Sequence, residues 1–279
     1  MKKNKKILIF YDDQKFAGKG HYSRSKNLSQ YLNKYYKISF NQFGNVNKFK
    51  KKIYKFDLII LDLKKYPLQK LNFYFKKFRK KIITIENYNN TFGDINIKIF
   101  DHSPNIKTKS YNGLKYAMIK KDKISKINKN NQIFVSIGNN PKKKYFTIIK
   151  NKIKELKNYN FILMPSMKTK NYSKFTNTKF CNVNNYYEKF KNSSICITNG
   201  GLTLIEALYF KKICFAFPQN KYEANFINFL KKRKYIFGTN LDKINSLDDI
   251  SIKKIKKKLK NVIDGNGLNR IKKIIEKNF

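Results

Sequence analysis

Tryptophan is absent from this chain of 279 residues, histidine occurs only as His21 and His102, and arginine only as Arg24, Arg79, Arg233 and Arg270. These scarcities exclude several kinds of protein. Two histidines and three cysteines with no CxxC spacing cannot build a typical zinc site, so no metal is expected. The odd set Cys181, Cys196 and Cys214 carries no disulfide framework; two of the three lie in apolar runs and read as small core residues of a protein in a reducing cytoplasm. No GxxxxGK[ST] is present, which excludes a P-loop, and no GxSxG, which leaves a serine-elbow hydrolase unsupported. No apolar run approaches membrane-spanning length. The opening MKKNKKILIFYDDQ has too short an apolar stretch for a leader, and Asp12 and Asp13 follow it at once, so it reads as a first buried strand.

Acidic residues are few as well. There are 17 against 63 Lys and Arg, a formal net charge of +46. Such a balance suggests nucleic acid, but base readout and bidentate phosphate binding favour arginine, and nearly all the charge here is lysine spread along the chain. Lys, Asn, Ile, Phe and Tyr are all abundant while Ala, Gly, Arg and Pro are scarce, a pattern that fits drift in an AT-rich genome. No specific nucleic-acid partner is expected. Anionic small ligands would still be drawn to the surface.

Short apolar runs alternate with longer polar, helix-like stretches. Strands are expected at residues 6–12, 36–41, 57–63, 81–87 and 95–101, and again at 132–138, 159–165, 178–183, 194–199 and 213–218. Helices are expected at 20–35, where Leu28, Tyr31 and Leu32 share a face, at 67–80 behind Pro67, and at 145–158, 202–210 and 223–234. A lysine-rich interval at 120–131 separates the two series. The pattern predicts an α/β protein of two Rossmann-like domains with parallel sheets and a ligand cleft between them. The boundaries are 1–125 for the first domain and 126–262 for the second, with a C-terminal helix over 263–279 that crosses back to the first.

Three strand-to-helix loops carry the chemistry. In YDDQKFAGKGHYSR, Gly18 and Gly20 let the backbone pass close to a ligand, and His21 sits at a helix start where an anion binds well. Its imidazole suits general acid–base work, although a glycine turn with a surface histidine fits the spacing equally. In VSIGNNP, Gly138, Asn139 and Asn140 tolerate left-handed backbone and face phosphate or sugar, or form a turn only. In ITNGGLTLIEAL, Gly200 and Gly201 can admit a diphosphate to a helix N-terminus. There Glu206 either accepts from ribose hydroxyls or closes a capping box with Thr203. His102, in FDHSPN, has no assigned role.

GKGHYSRSKNLSQYL resembles the Gly-x-Gly-His-x-x-Arg stretch of the nucleotide-sugar hydrolases of pseudaminic acid synthesis. FVSIGNNP looks like the glycine-rich loop that opens their second domain, and CITNGGLTLIEALYFKKICFAFP like their nucleotide site. IDGNGLNRIKKII is similar to their C-terminal Asp-Gly-x-Gly-x-x-Arg segment, and the four motifs stand in the family's order over nearly the whole chain. The resemblance implies a fold of the GT-B type. It also implies hydrolysis of UDP-2,4-diacetamido-2,4,6-trideoxy-β-L-altropyranose by attack of water at the anomeric carbon, without metal or other cofactor. It places the catalytic base at His21 and nucleotide contacts at Gly200, Gly201 and Glu206. The chain departs from the family at Asp62-Leu63-Lys64, where Asp-Ser-Tyr is usual, and at Asn139, Asn140 and Asn199.

The expected site is therefore catalytic His21 with a substrate-binding set of Gly18, Gly20, Arg24, Gly138, Asn139, Asn199, Gly200, Gly201, Thr203 and Glu206. The expected partner is a UDP-sugar bound by a cytoplasmic monomer. A glycosyltransferase of the same fold is the alternative, and a non-catalytic nucleotide-sugar or polyanion-binding protein the second alternative.

Overall fold

The computed structural model describes residues 5–13, 19–43, 53–64, 80–88, 93–100, 109–122, 131–138, 142–164, 172–182, 184–259 and 262–279. Gly18, Asn139, Asn140, His102 and nearly all of the helix expected at 67–80 lie outside these residues. By internal contacts the chain divides into two compact units, Met1–Lys121 with Asp264–Phe279, and Asp122–Ile263.

Among the described residues the first unit holds six strands: β1 (Lys6–Tyr11), β2 (Lys37–Gln42), β3 (Leu58–Asp62), β4 (Lys81–Ile85), β5 (Ile95–Lys98) and β6 (Lys109–Asn112). They lie in the order β2-β1-β3-β4-β5-β6, and every pair is parallel. A parallel sheet covered on both faces needs strands that are apolar throughout. In β3, LIILD, all five residues are buried. Helix α1 (Lys19–Leu32) returns from β1 to β2 and buries Leu28 and Leu32 completely, each worth roughly 1.5–3 kcal/mol. The chain leaves β1 toward β2 and comes back to β3 on its other side. The switch point of the sheet therefore lies between the carboxyl ends of β1 and β3, where open α/β sheets bind ligands.

The second unit repeats the plan with β7 (Gln132–Ser136), β8 (Asn160–Leu163), β9 (Thr178–Phe180), β10 (Ile195–Thr198) and β11 (Ile213–Ala216), in the order β11-β10-β7-β8-β9 and again all parallel. Its switch point lies between β7 and β10. The helices are α2 (Lys143–Glu155), α3 (Tyr186–Asn192), α4 (Leu202–Tyr209), α5 (Lys221–Lys232) and α6 (Asp249–Leu259). Cys181, Cys196 and Cys214 are buried free thiols. Among the described residues of this unit two lysines are buried, Lys152 and Lys212. The Lys212 ammonium is fully buried and donates to the carbonyls of Lys191 (3.0 Å) and Ser193 at the end of α3. Burial pulls it down to about 8.

The last helix, α7 (Gly267–Asn278), belongs to the first unit. The Asp-Gly-x-Gly-x-x-Arg motif docks it there. A Cβ on Gly267 would lie 2.2 Å from the carbonyl oxygen of Ala117, so only glycine permits this approach. Asp264 and Arg270 form a two-pronged ion pair at 2.7 and 2.6 Å, and Arg270 also donates to the carbonyl of Lys115 (3.0 Å).

All ten expected strands form. Strand β6 and helices α3 and α6 were not expected from sequence. In β6 the sequence is KSYN, polar and only half buried at the sheet edge, so it offers no apolar run to read.

Candidate functional site

In the first unit the strand ends at the switch point carry a connected group of charged side chains. Asp62, the last residue of β3, is completely buried beside the start of α1. His21 Nδ1 lies 2.8 Å from its Oδ1, with the His21 side chain 18% exposed. Arg24 donates from Nε to Oδ2 at 2.7 Å and from its second terminal nitrogen to Oδ1. Ser25 donates its hydroxyl to Oδ2 at 2.7 Å. The three side chains come from one helix face because residues three and four apart in a helix are neighbours.

Burial alone would raise the Asp62 carboxyl. Arg24 and His21 overcome it and hold the group well below the usual carboxylate range. Arg24 stays charged for the same reason, since Asp62 outweighs its desolvation. Arg24 also lies 3.3 Å from His21 Nδ1, but the carboxylate contact is shorter and charge-assisted, so we place the imidazole proton on Nδ1. That tautomer leaves the Nε2 lone pair free to accept a proton.

A second carboxyl joins this group from β4. Ile82 packs with Ile59, Leu61 and Leu63 on the face opposite Asp62, and a regular strand would turn residue 86 to that same face. Glu86 instead has left-handed backbone, φ 56°, a strain of order 1 kcal/mol for a residue with a side chain. Its buried carboxylate receives the Tyr88 hydroxyl (2.6 Å) and the Ile99 amide, and is coupled electrostatically to Arg24 and Asp62. Burial raises the Glu86 carboxyl, and burial followed by Glu86 raises the Tyr88 phenol.

In the second unit three loops meet at the switch point. Thr198 donates to the carbonyl of Ser136 (2.8 Å), and the Gln219 side-chain Nε2 to the carbonyl of Ile137 (2.9 Å). Gly138 has φ 84°, and its Cα faces the Asn199 side chain. Glu223, in the first turn of α5, binds the loops together. Its carboxylate accepts from the Asn199 side chain (3.0 Å), the Gly200 amide (3.1 Å) and the Gln219 amide (2.9 Å). Asn220 caps the same helix by accepting from the Glu223 amide at 2.9 Å. Gly200 has to be glycine here, since a Cβ would lie 2.8 Å from that of Glu223.

Helix α4 starts behind the two glycines, and its first amides have no partner within the helix. Its N-cap is Gly201 with no side-chain bond, so Thr203 is inside the helix and the capping-box alternative does not form. Glu206 is half-buried, and burial pushes its carboxyl up to about 7.

Of the residues expected at the site, Gly20 and His21 lie at the start of α1, Gly138 follows β7, Asn199, Gly200 and Gly201 lie between β10 and α4, and Thr203 and Glu206 are within α4. Arg24 was read as a substrate contact. It is 5% exposed and its fork is turned inward onto Asp62. Asp62, Glu86, Tyr88 and Glu223 were missed as site residues. Asp62 was visible only as a matched position of a family motif, and Glu86 only as an acid closing an apolar run.

Two all-parallel sheets with their helices make this a protein of the GT-B fold. No protein-family model matches the chain, and no curated protein matches it significantly in sequence. Among solved structures it is similar to MurG of Acinetobacter baumannii (TM-score 0.70, 10% identity, 98% of this chain and 99% of that one). It is also similar to the glycosyltransferase SnogD from Streptomyces nogalater (TM-score 0.60, 10% identity, 98% and 100%). A third is S. aureus MnaA in its structure with UDP (TM-score 0.68, 12% identity, 98% and 96%). These neighbours carry the fold and not the hydrolase resemblance.

Proposed function

We propose that the chain is a UDP-sugar enzyme that moves a glycosyl group from UDP to a hydroxyl acceptor, with His21 as the base. The observation that carries this is the His21–Asp62 pair, which holds the imidazole by Nδ1 at the ligand end of a parallel sheet. Nε2 takes the proton of the acceptor O–H as its oxygen bonds to the anomeric carbon. The bond from that carbon to the phosphate oxygen breaks, and UDP leaves with the electron pair. Asp62 stabilises the imidazolium so formed. The α4 amides behind Gly200 and Gly201 receive the diphosphate, and Glu206 the ribose hydroxyls. Neighbours named as glycosyltransferases support this choice of acceptor.

Water as the acceptor is the second reading, favoured by the order of the four motifs along the chain. The C-terminal motif speaks for neither reaction, because its Gly267, Asp264 and Arg270 serve the docking of α7. The test is UDP release by the purified protein from a panel of UDP-sugars, with EDTA, with and without hydroxyl acceptors. Release that needs an acceptor supports transfer. Equal release without one moves the assignment to hydrolysis, and a protein that does not bind UDP refutes both.

Glu206 gives a pH prediction. To accept from ribose hydroxyls its carboxyl must be ionised, and burial keeps it protonated up to about 7. Bound hydroxyls favour the ionised form, so UDP binding releases a proton below that pH. UDP affinity should therefore rise as pH passes from 6 to 8, and Glu206→Gln should bind more weakly and lose the dependence. Calorimetric titration across that range checks it. A flat profile in the wild type removes Glu206 from the ribose contact.

A further inference from the structure

Two side-chain amides stand in the loops at the switch point of the second unit, and the polarity of both is fixed. Asn199 donates from Nδ2 to Glu223 Oε1 at 3.0 Å, and Gln219 donates from Nε2 to the carbonyl of Ile137 at 2.9 Å. A carboxylate and a carbonyl only accept, so neither amide can turn over in place. The NH2 ends are tied to the protein and the carbonyl ends are left over. Gln219 Oε1 is buried without a hydrogen bond. Asn199 Oδ1 has no partner among the described residues either, and it is not enclosed. Two glycines make room for the Asn199 side chain. A Cβ on Gly138 would lie 3.7 Å from its amide carbon, and one on Gly201 3.2 Å from its Nδ2. Glu223 sets the orientation. Its Oε2 accepts from the backbone amides of Gly200 (3.1 Å) and Gln219 (2.9 Å), which leaves Oε1 to Asn199.

We propose that Asn199 is a specificity-determining residue whose Oδ1 accepts a hydrogen bond from an N–H or O–H of the ligand. An ionised phosphate oxygen has no proton to give and gains nothing from this atom. A uracil imide or a sugar hydroxyl does. The loop ahead of α4 then sorts the ligand by polarity. Phosphate oxygens go to the amides at the start of the helix, and a donor group goes to the carbonyl of Asn199. The orphaned oxygen of Gln219 has the same sign: the loops around Glu223 have acceptors to spare and their side-chain NH2 groups in use. The proposal rests on the reading of α4 as the nucleotide-binding helix, and it adds which kind of group sits beside the diphosphate.

The test is calorimetric titration of the full chain with pyrophosphate, UDP and UDP-glucose, in the wild type, Asn199→Ala and Glu223→Gln. Asn199→Ala removes the acceptor. Affinity for UDP relative to pyrophosphate, or for UDP-glucose relative to UDP, should fall about tenfold, the worth of one hydrogen bond. Glu223→Gln changes polarity without touching the ligand. The Gly200 and Gln219 amides still need an oxygen, so the new side chain keeps its oxygen there and turns its NH2 to Asn199. Asn199 then turns over, accepts with Oδ1 and presents Nδ2. An imide N–H flanked by carbonyls cannot reverse, whereas a hydroxyl can. A UDP-to-pyrophosphate ratio that falls in both variants therefore identifies the uracil imide, and a ratio that falls in Asn199→Ala alone identifies a hydroxyl, of the ribose or of the sugar. Should Asn199→Ala fail to fold, the same fall in Glu223→Gln supports the proposal and its absence overturns it. Loosened loops would weaken all three ligands together, so ratios that stay at the wild-type value overturn the proposal. Where UDP still binds, that failure leaves the UDP-sugar reading standing. A wild type that binds none of the three ligands overturns both.

Discussion

His21→Ala should lose nearly all turnover and keep its affinity for UDP. A positioned general base is worth about 10²- to 10⁴-fold in rate, so kcat should fall by that factor. UDP affinity should hold, because the nucleotide contacts are assigned to the second unit and His21 belongs to the first. Loss of folding cannot mimic the result. His21 is partly exposed, and losing its 2.8 Å contact with Asp62 costs about 1 kcal/mol against a total stability of roughly 5–15. Steady-state rates beside calorimetric UDP binding would decide it. A kcat within a few-fold of wild type would take His21 out of the mechanism, and weakened UDP binding with kcat intact would make it a binding residue.

The legibility of this fold follows from its sheets. Parallel strands covered on both faces must be apolar throughout, so KILIFY, LIILD and ICIT announce themselves as runs. The elements missed lack that constraint. In β6 edge position allows polar residues, and in α6, DISIKKIKKKL, only Ile255 and Leu259 are buried while lysines fill the rest. The site was legible in its loops and not in its partners. His21 and the two glycine turns stood out because the composition is so poor in those residues. Their partners are far along the chain. Asp62 lies 38 residues from Arg24, and Glu223 lies 23 from Gly200. One sequence does not reveal such pairs. Nor does it reveal the left-handed backbone at Glu86, since residue 86 is itself neither glycine nor asparagine. The T-x-x-E pattern at Thr203 misled in the opposite way. It names side chains that can close a capping box, but the helix began one residue before Thr203, which lost the cap position to Gly201.

Asp62→Ala should be the most destabilising single change in the first unit. It removes the only carboxylate that the Arg24 guanidinium is hydrogen-bonded to among the described residues, and leaves that charge at 5% exposure. Breaking a buried ion pair from one side costs about 3–5 kcal/mol, a large share of any domain's stability. Ser25 and His21 lose their acceptor at the same time. Turnover should vanish too, since the imidazole loses the bond that fixes its tautomer. The effect should be absent from the double variant Arg24→Met/Asp62→Leu, in which no charge is stranded and the two apolar side chains fill similar space. Denaturant unfolding of Arg24→Met, Asp62→Leu and the double gives the coupling directly. The pH dependence has a definite sign. The folded Asp62 carboxyl titrates below its unfolded value, so its contribution is complete above about pH 4 and fades as pH falls further. Asp62→Ala should therefore lose least, relative to wild type, in acid. A loss under about 0.5 kcal/mol at neutral pH, the size of an ordinary surface change, would mean that Arg24 finds water or another partner and that the buried network is not what holds His21.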